Sequence, residues 1–201
     1  MKKFLFFLCF SMSSTTFASE IKMFGDSLFK IPSGVLASEL ESIFGLDIDN
    51  KARSGALSEE IKHQYFSIKD APISLAIIGG GANDAFANSS VCKNQFGDAC
   101  KKVIDCIAAN FKEMLEVMTA HGVRDVVFLS YYHIPYGFAE AIDYGYVATK
   151  KVCDEAEVHC VIVDPRHAFW GHPEYIRWDG IHPTKEGAKV LAQLIWDAYS
   201  E

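Results

Sequence analysis

Four short segments of the sequence hold side chains suited to acyl transfer: Gly25-Asp26-Ser27, Arg53-Ser54-Gly55, Gly81-Ala82-Asn83-Asp84 and Asp179-Gly180-Ile181-His182-Pro183. Such chemistry needs a nucleophile, a base within hydrogen-bond reach of it, a group holding that base, and donors aimed at the developing oxyanion. Ser27 supplies a hydroxyl directly after an apolar run. Asp179, three residues before His182, can fold its carboxylate back onto the imidazole and fix one tautomer, which leaves the second ring nitrogen for Ser27. The backbone N–H groups of Ser27 and Gly55 and the neutral amide of Asn83 are candidate oxyanion donors.

Each of these residues also has a structural reading. Ser27 could be a turn serine in a binding protein, and Asn83 could bond its own backbone. Asp26 and Asp84 are read as structural, each holding a turn by accepting backbone N–H groups. Gly79-Gly80-Gly81 is not followed by Lys-Ser or Lys-Thr, which argues against a phosphate-binding loop. His167, His172 and His182 with Asp164 and Asp179 could ligate a metal, but their spacing is irregular and a bound ion would remove the base that Ser27 needs. Tyr131, Tyr132, His133 and Tyr136 follow an apolar run and could line a substrate pocket, or else form an aromatic rim of the core.

The elements that must position these groups are legible as a pattern. Short apolar runs at residues 21–24, 46–49, 73–78, 126–130 and 158–163 alternate with segments of helical period. This is the signature of strand-helix units around a parallel sheet, here of five strands, whose carboxyl ends share one edge. One helix is expected on Val35, Leu36, Leu40, Ile43 and Phe44, with Ser33 as cap and Gly45 as stop. A second carries Ile104, Ile107, Phe111, Met114 and Met118, a weaker third covers residues 138–155, and a last one opens at Thr184. Pro32 delays the first helix, so any helix-dipole help to Ser27 is limited to one short turn.

The chain has 201 residues, half of them hydrophobic, enough for one domain with a sizeable core, and no linker or repeat suggests a second. Its net charge of -7 argues against nucleic-acid and anionic-membrane partners. A monomer is expected.

The four segments resemble, in order and over nearly the whole chain, the sequence blocks of the SGNH hydrolases, also called GDSL esterases and lipases. Phe24-Gly25-Asp26-Ser27-Leu28 matches the first block, Gly55 the second, Gly81-Ala82-Asn83-Asp84 the third and Asp179-Gly180-Ile181-His182 the last. The resemblance implies a flavodoxin-like three-layer α/β/α sandwich, an acyl-enzyme mechanism, and no metal or organic cofactor. It also implies Ser27 as nucleophile, His182 and Asp179 as its partners, and Ser27, Gly55 and Asn83 as the oxyanion hole. The expected function is hydrolysis of a small-molecule or glycan carboxylic ester. The alternatives are a polysaccharide O-acyl esterase or acyltransferase with the same triad, and a silent carbohydrate-binding domain. The absence of an extended lid segment favours short acyl groups.

Residues 1–18 read as a secretory signal peptide, with Lys2 and Lys3 before an apolar stretch and Thr16-Phe17-Ala18 as cleavage site. Residues 19–201 would then form a single exported domain, periplasmic or secreted. Outside the cytoplasm cysteines oxidise. The expected bridges are Cys92 with Cys100 and Cys153 with Cys160, leaving Cys106 as a buried free thiol within a strongly apolar helical pattern.

Overall fold

The computed structural model describes residues 20–68 and 72–201. The expected signal peptide therefore lies outside the described residues. Five parallel strands form one sheet in the order β2-β1-β3-β4-β5: β1 (Ile21–Gly25), β2 (Ile48–Asn50), β3 (Leu75–Gly79), β4 (Asp125–Leu129) and β5 (His159–Val163). That order is the flavodoxin-like one, in which ligands bind at the carboxyl ends where β1 and β3 lie side by side.

Side chains on the strands alternate between two cores, as the two-residue period of a strand requires. Phe24, Ala76, Ile78, Val126 and Phe128 face α2 (Ser58–Phe66), α5 (Asp98–Ala120) and α6 (Ala139–Asp154). Met23, Leu75, Ile77, Val127 and Leu129 face α1 (Val35–Phe44) and α8 (Lys185–Ser200). Both faces are covered, so the central strand β3 and residues 126–129 of β4 read as continuous apolar runs. Three short helices, α3 (Ala82–Ala87), α4 (Ser89–Cys92) and α7 (Arg166–Phe169), lie in the connections after β3 and β5.

Boundaries differ from the sequence expectations where side chains misled. β2 starts at Ile48, and Leu46 is exposed. The first helix is capped by Gly34 in the left-handed conformation rather than by Ser33. The helix α2 has no counterpart in the sequence pattern, because Lys62 and Gln64 are buried on it and break its apolar period.

Cysteine pairing follows the expected scheme. Cys92 and Cys100 bridge α4 to α5, and Cys153 and Cys160 bridge the end of α6 to β5. The expectation that Cys106 is buried is corrected: it is free but exposed. A helix advances about 100° per residue, so with Ile104, Ile107, Ala108 and Phe111 turned inward, position 106 points to solvent. No helix among the described residues is long and apolar enough to cross a membrane.

Candidate active site

Ser27 opens a single 3₁₀ turn, Ser27–Phe29, directly beyond β1. Asp26 caps that turn, its Oδ1 accepting the Leu28 N–H at 2.9 Å. From 155 residues further along, His182 brings Nε2 to 2.8 Å from Ser27 Oγ. Its Nδ1 lies 3.1 Å from Asp179 Oδ2. Both contacts are satisfied when Nδ1 carries the proton and donates to the carboxylate, and Nε2 accepts the hydroxyl proton of Ser27.

The segment around His182 is held from several sides. Asp179 Oδ1 accepts the N–H groups of Ile181 and His182, each at 2.9 Å. Tyr132 donates its hydroxyl to the Ile181 carbonyl at 2.6 Å, and Tyr136 donates to the Asp179 carbonyl at 2.5 Å. Thr184 then caps α8 by accepting the Gly187 N–H. Burial raises the pKa of Asp179, but the two N–H groups and the His182 ring outweigh it and hold its carboxyl below the usual range. The carboxylate is thus ionised beside the imidazole near neutral pH.

The three candidate oxyanion donors are differently prepared. Among the described residues, the N–H groups of Ser27 and Gly55 donate to no protein acceptor. Gly55 adopts a positive φ of 81°, a conformation that glycine tolerates best. Asn83 Nδ2 instead donates to the Ala56 carbonyl at 3.0 Å and to Asp26 Oδ2 at 3.3 Å. Active-site hydrogen bonds commonly tighten only around substrate. The longer bond to Asp26 is the one an oxyanion would displace at least cost.

Gly80 and Gly81 let the β3 turn come this close: a Cβ on Gly80 would collide with Ile61 Cδ1, and one on Gly81 would meet Ile107 Cγ2 at 2.8 Å. Asp84 fastens the same turn to α2, accepting the Ser58 N–H at 2.9 Å and its hydroxyl at 2.8 Å.

Asp26 joins three of these segments. Its Oδ2 accepts from Asn83 and, at 2.5 Å, from the Tyr131 hydroxyl beyond β4. Burial pushes its pKa up to about 6, against the opposing effects of Tyr131, the Leu28 N–H and His182. An aspartate raised in the folded state stabilises the fold below its unfolded pKa and loses that contribution as pH rises through its folded one. Stability should therefore fall between about pH 4 and pH 6, by on the order of 3 kcal/mol at ~1.4 kcal/mol per pH unit. Thermal unfolding across that window checks this: Asp26→Asn should flatten the slope, and an unchanged slope would contradict it.

The four residues expected to line a pocket have separate fates. Tyr131 does border an apolar recess, although its hydroxyl is committed to Asp26. Tyr132 is a correction: it is fully buried and stacked on Phe169 with centroids 4.1 Å apart, so it supports the His182 segment rather than facing substrate. His133 bonds Asp143, which Arg166 also pairs, in an ion cluster between α6 and α7. Tyr136, partly exposed, buttresses Asp179.

One positioning residue escaped the sequence reading. Gln64 on α2 accepts the Gly25 N–H and donates to the Gly25 carbonyl, both at 2.8 Å, two residues before Ser27. Only the buried position of its amide reveals this, and a glutamine inside a polar helical segment gives no signal in sequence. Gln64→Ala would leave a buried N–H unpaired, at a cost of about 1–3 kcal/mol. Its thermal midpoint should drop by several degrees, at ~2–4 °C per kcal/mol for a domain of this size.

Comparisons place this geometry among known folds. TesA superposes with a TM-score of 0.70 at 18% identity, covering 90% of this chain and 97% of its own. The psychrotrophic esterase EstA from Pseudoalteromonas sp. gives a TM-score of 0.66 at 14% identity, covering 90% and 97%. A family 3 carbohydrate esterase from Clostridium thermocellum gives 0.68 at 16% identity, covering 90% and 95%. At such identities these likenesses establish the fold alone. No curated protein sequence matches the chain. The sequence profile of the family described as GDSL-like Lipase/Acylhydrolase matches residues 21–195. With that match running over most of its length, the chain belongs to the GDSL-like lipase/acylhydrolase family and is an ester-bond hydrolase.

Proposed function

We propose that Ser27 is the nucleophile of a carboxylic ester hydrolase that works through an acyl-serine intermediate. Ser27 Oγ attacks the ester carbonyl carbon as His182 Nε2 takes its proton, and Asp179 stabilises the imidazolium that forms. The carbonyl oxygen, now anionic, is met by the N–H groups of Ser27 and Gly55 and by the Asn83 amide, turned from Asp26. His182 returns the proton to the departing alcohol oxygen as the C–O bond breaks. Water then repeats the sequence, its proton passing to His182 as its oxygen bonds the acyl carbon, and the acid leaves as Ser27 recovers its hydroxyl. The observation that carries this reading is the unbroken hydrogen-bonded chain Asp179–His182–Ser27.

Export to an oxidising compartment completes the reading. Its support is the pair of disulfides, since such bonds persist outside the cytoplasm.

The test is release of acid and alcohol from 4-nitrophenyl acetate in equal amounts. Asn83→Ala should lower kcat roughly 10²- to 10³-fold, the usual cost of one oxyanion donor. A protein that cleaves no ester, or an Asn83→Ala variant at the wild-type rate, would contradict the mechanism.

A further inference from the structure

An apolar recess opens beside the site, between α3, α5 and α6. Its walls include Phe86, Ile104, Ile107, Ile134, Phe138 and Ile142. It adjoins the reacting groups, because Ala82 and Ile181, the chain neighbours of Asn83 and His182, border it too. The recess has a volume of about 730 Å³ counted out to its open mouth, and its walls are mostly apolar. A sugar ring there would lose water from hydroxyl groups that the walls could rarely pair, whereas a hydrocarbon chain would lose nothing polar.

Gly145 also borders the recess, in the middle of α6. Glycine is among the poorest residues for a helix interior. Nothing in its surroundings requires it: its backbone is helical, and an added Cβ would meet only Ile104 Cγ2, at an ordinary 3.9 Å. The absent side chain leaves room in the recess.

We infer that this recess receives the acyl chain of the ester, and that Gly145 sets how long a chain fits. The inference rests on the Ser27 reading above and adds the substrate class: esters of linear acids longer than acetate. It also replaces the expectation of short acyl groups. A cleft between helices needs no lid, and its walls come from segments too far apart in the chain to announce themselves in sequence.

The test uses two series of esters on the purified protein: 4-nitrophenyl esters from acetyl to octanoyl, and acetate esters of alcohols of the same lengths. Each methylene buried in the recess should raise kcat/KM about fourfold, equivalent to ~0.8 kcal/mol. The acyl series should therefore climb at least to hexanoyl, while the alcohol series stays nearly level. Gly145→Leu should lower the hexanoyl-to-acetyl ratio at least tenfold. Gly145→Ala, with a thermal midpoint at or above that of wild type, should shift the ratio in the same direction by less. A flat acyl series, a climb in the alcohol series instead, or an unchanged ratio in Gly145→Ala and Gly145→Leu would overturn the acyl assignment while leaving Ser27 standing. Failure to cleave any ester would overturn both.

Discussion

Ser27→Ala is expected to lower kcat on 4-nitrophenyl acetate by roughly 10⁴- to 10⁶-fold, the range seen when a serine hydrolase loses its nucleophile. The size of the effect follows from the sharing of work within the site. The oxyanion donors and the binding surfaces remain in the variant, but no bond to the acyl group can form, so only assisted attack by water survives. His182→Ala should cost a similar factor, and the double variant should fall little further, because nucleophile and base act as a unit. The fold should tolerate the change. Ser27 is partly exposed, and its side-chain hydroxyl bonds His182. A thermal midpoint within a few degrees of wild type, measured beside the kinetics, separates lost chemistry from lost structure.

Asp179→Asn should cost roughly 10⁴-fold in kcat, the scale found when the orienting carboxylate of such a triad becomes an amide. The asparagine oxygen can still accept the N–H groups of Ile181 and His182, so the backbone of the segment should hold. The amide nitrogen would then face the ring. Being a donor, it favours the tautomer with its proton on Nε2, which cannot accept the proton of Ser27. Circular dichroism and thermal unfolding should match wild type while turnover collapses. A variant with near-wild-type turnover would show that Asp179 only shapes the loop.

Much of the fold was legible because strands covered on both faces are largely apolar, and residues 75–78 and 126–129 are wholly so. The site was legible for a related reason: reactive groups gather where strand ends meet, and each quoted turn follows an apolar run or precedes a helix. What stayed hidden depends on burial of polar atoms. Lys62 and Gln64 look like the solvated face of a helix, yet both are buried, Lys62 meeting Glu59 and Glu113 and Gln64 holding Gly25. Tyr132 and Tyr136 looked like pocket residues, because aromatic rings after a strand end carry no mark of where their hydroxyls donate. Asp26 reads as a turn residue and is one, but its link to Tyr131, 105 residues away, exists only in three dimensions. Cys106 misled because the segment around it is apolar, although the period of Ile104, Ile107 and Phe111 turns position 106 outward on α5.

The central claim is that the Ser27 hydroxyl is activated by His182, and a fluorophosphonate reads that activation directly, since attack on phosphorus needs the same base. Intact mass and peptide mapping after exposure to the reagent should find one phosphonyl group, on Ser27, in wild type. Labelling should be far slower in Asp179→Asn and absent from Ser27→Ala. A wild-type protein that stays unlabelled, or an adduct that forms elsewhere and persists in Ser27→Ala, would contradict the account.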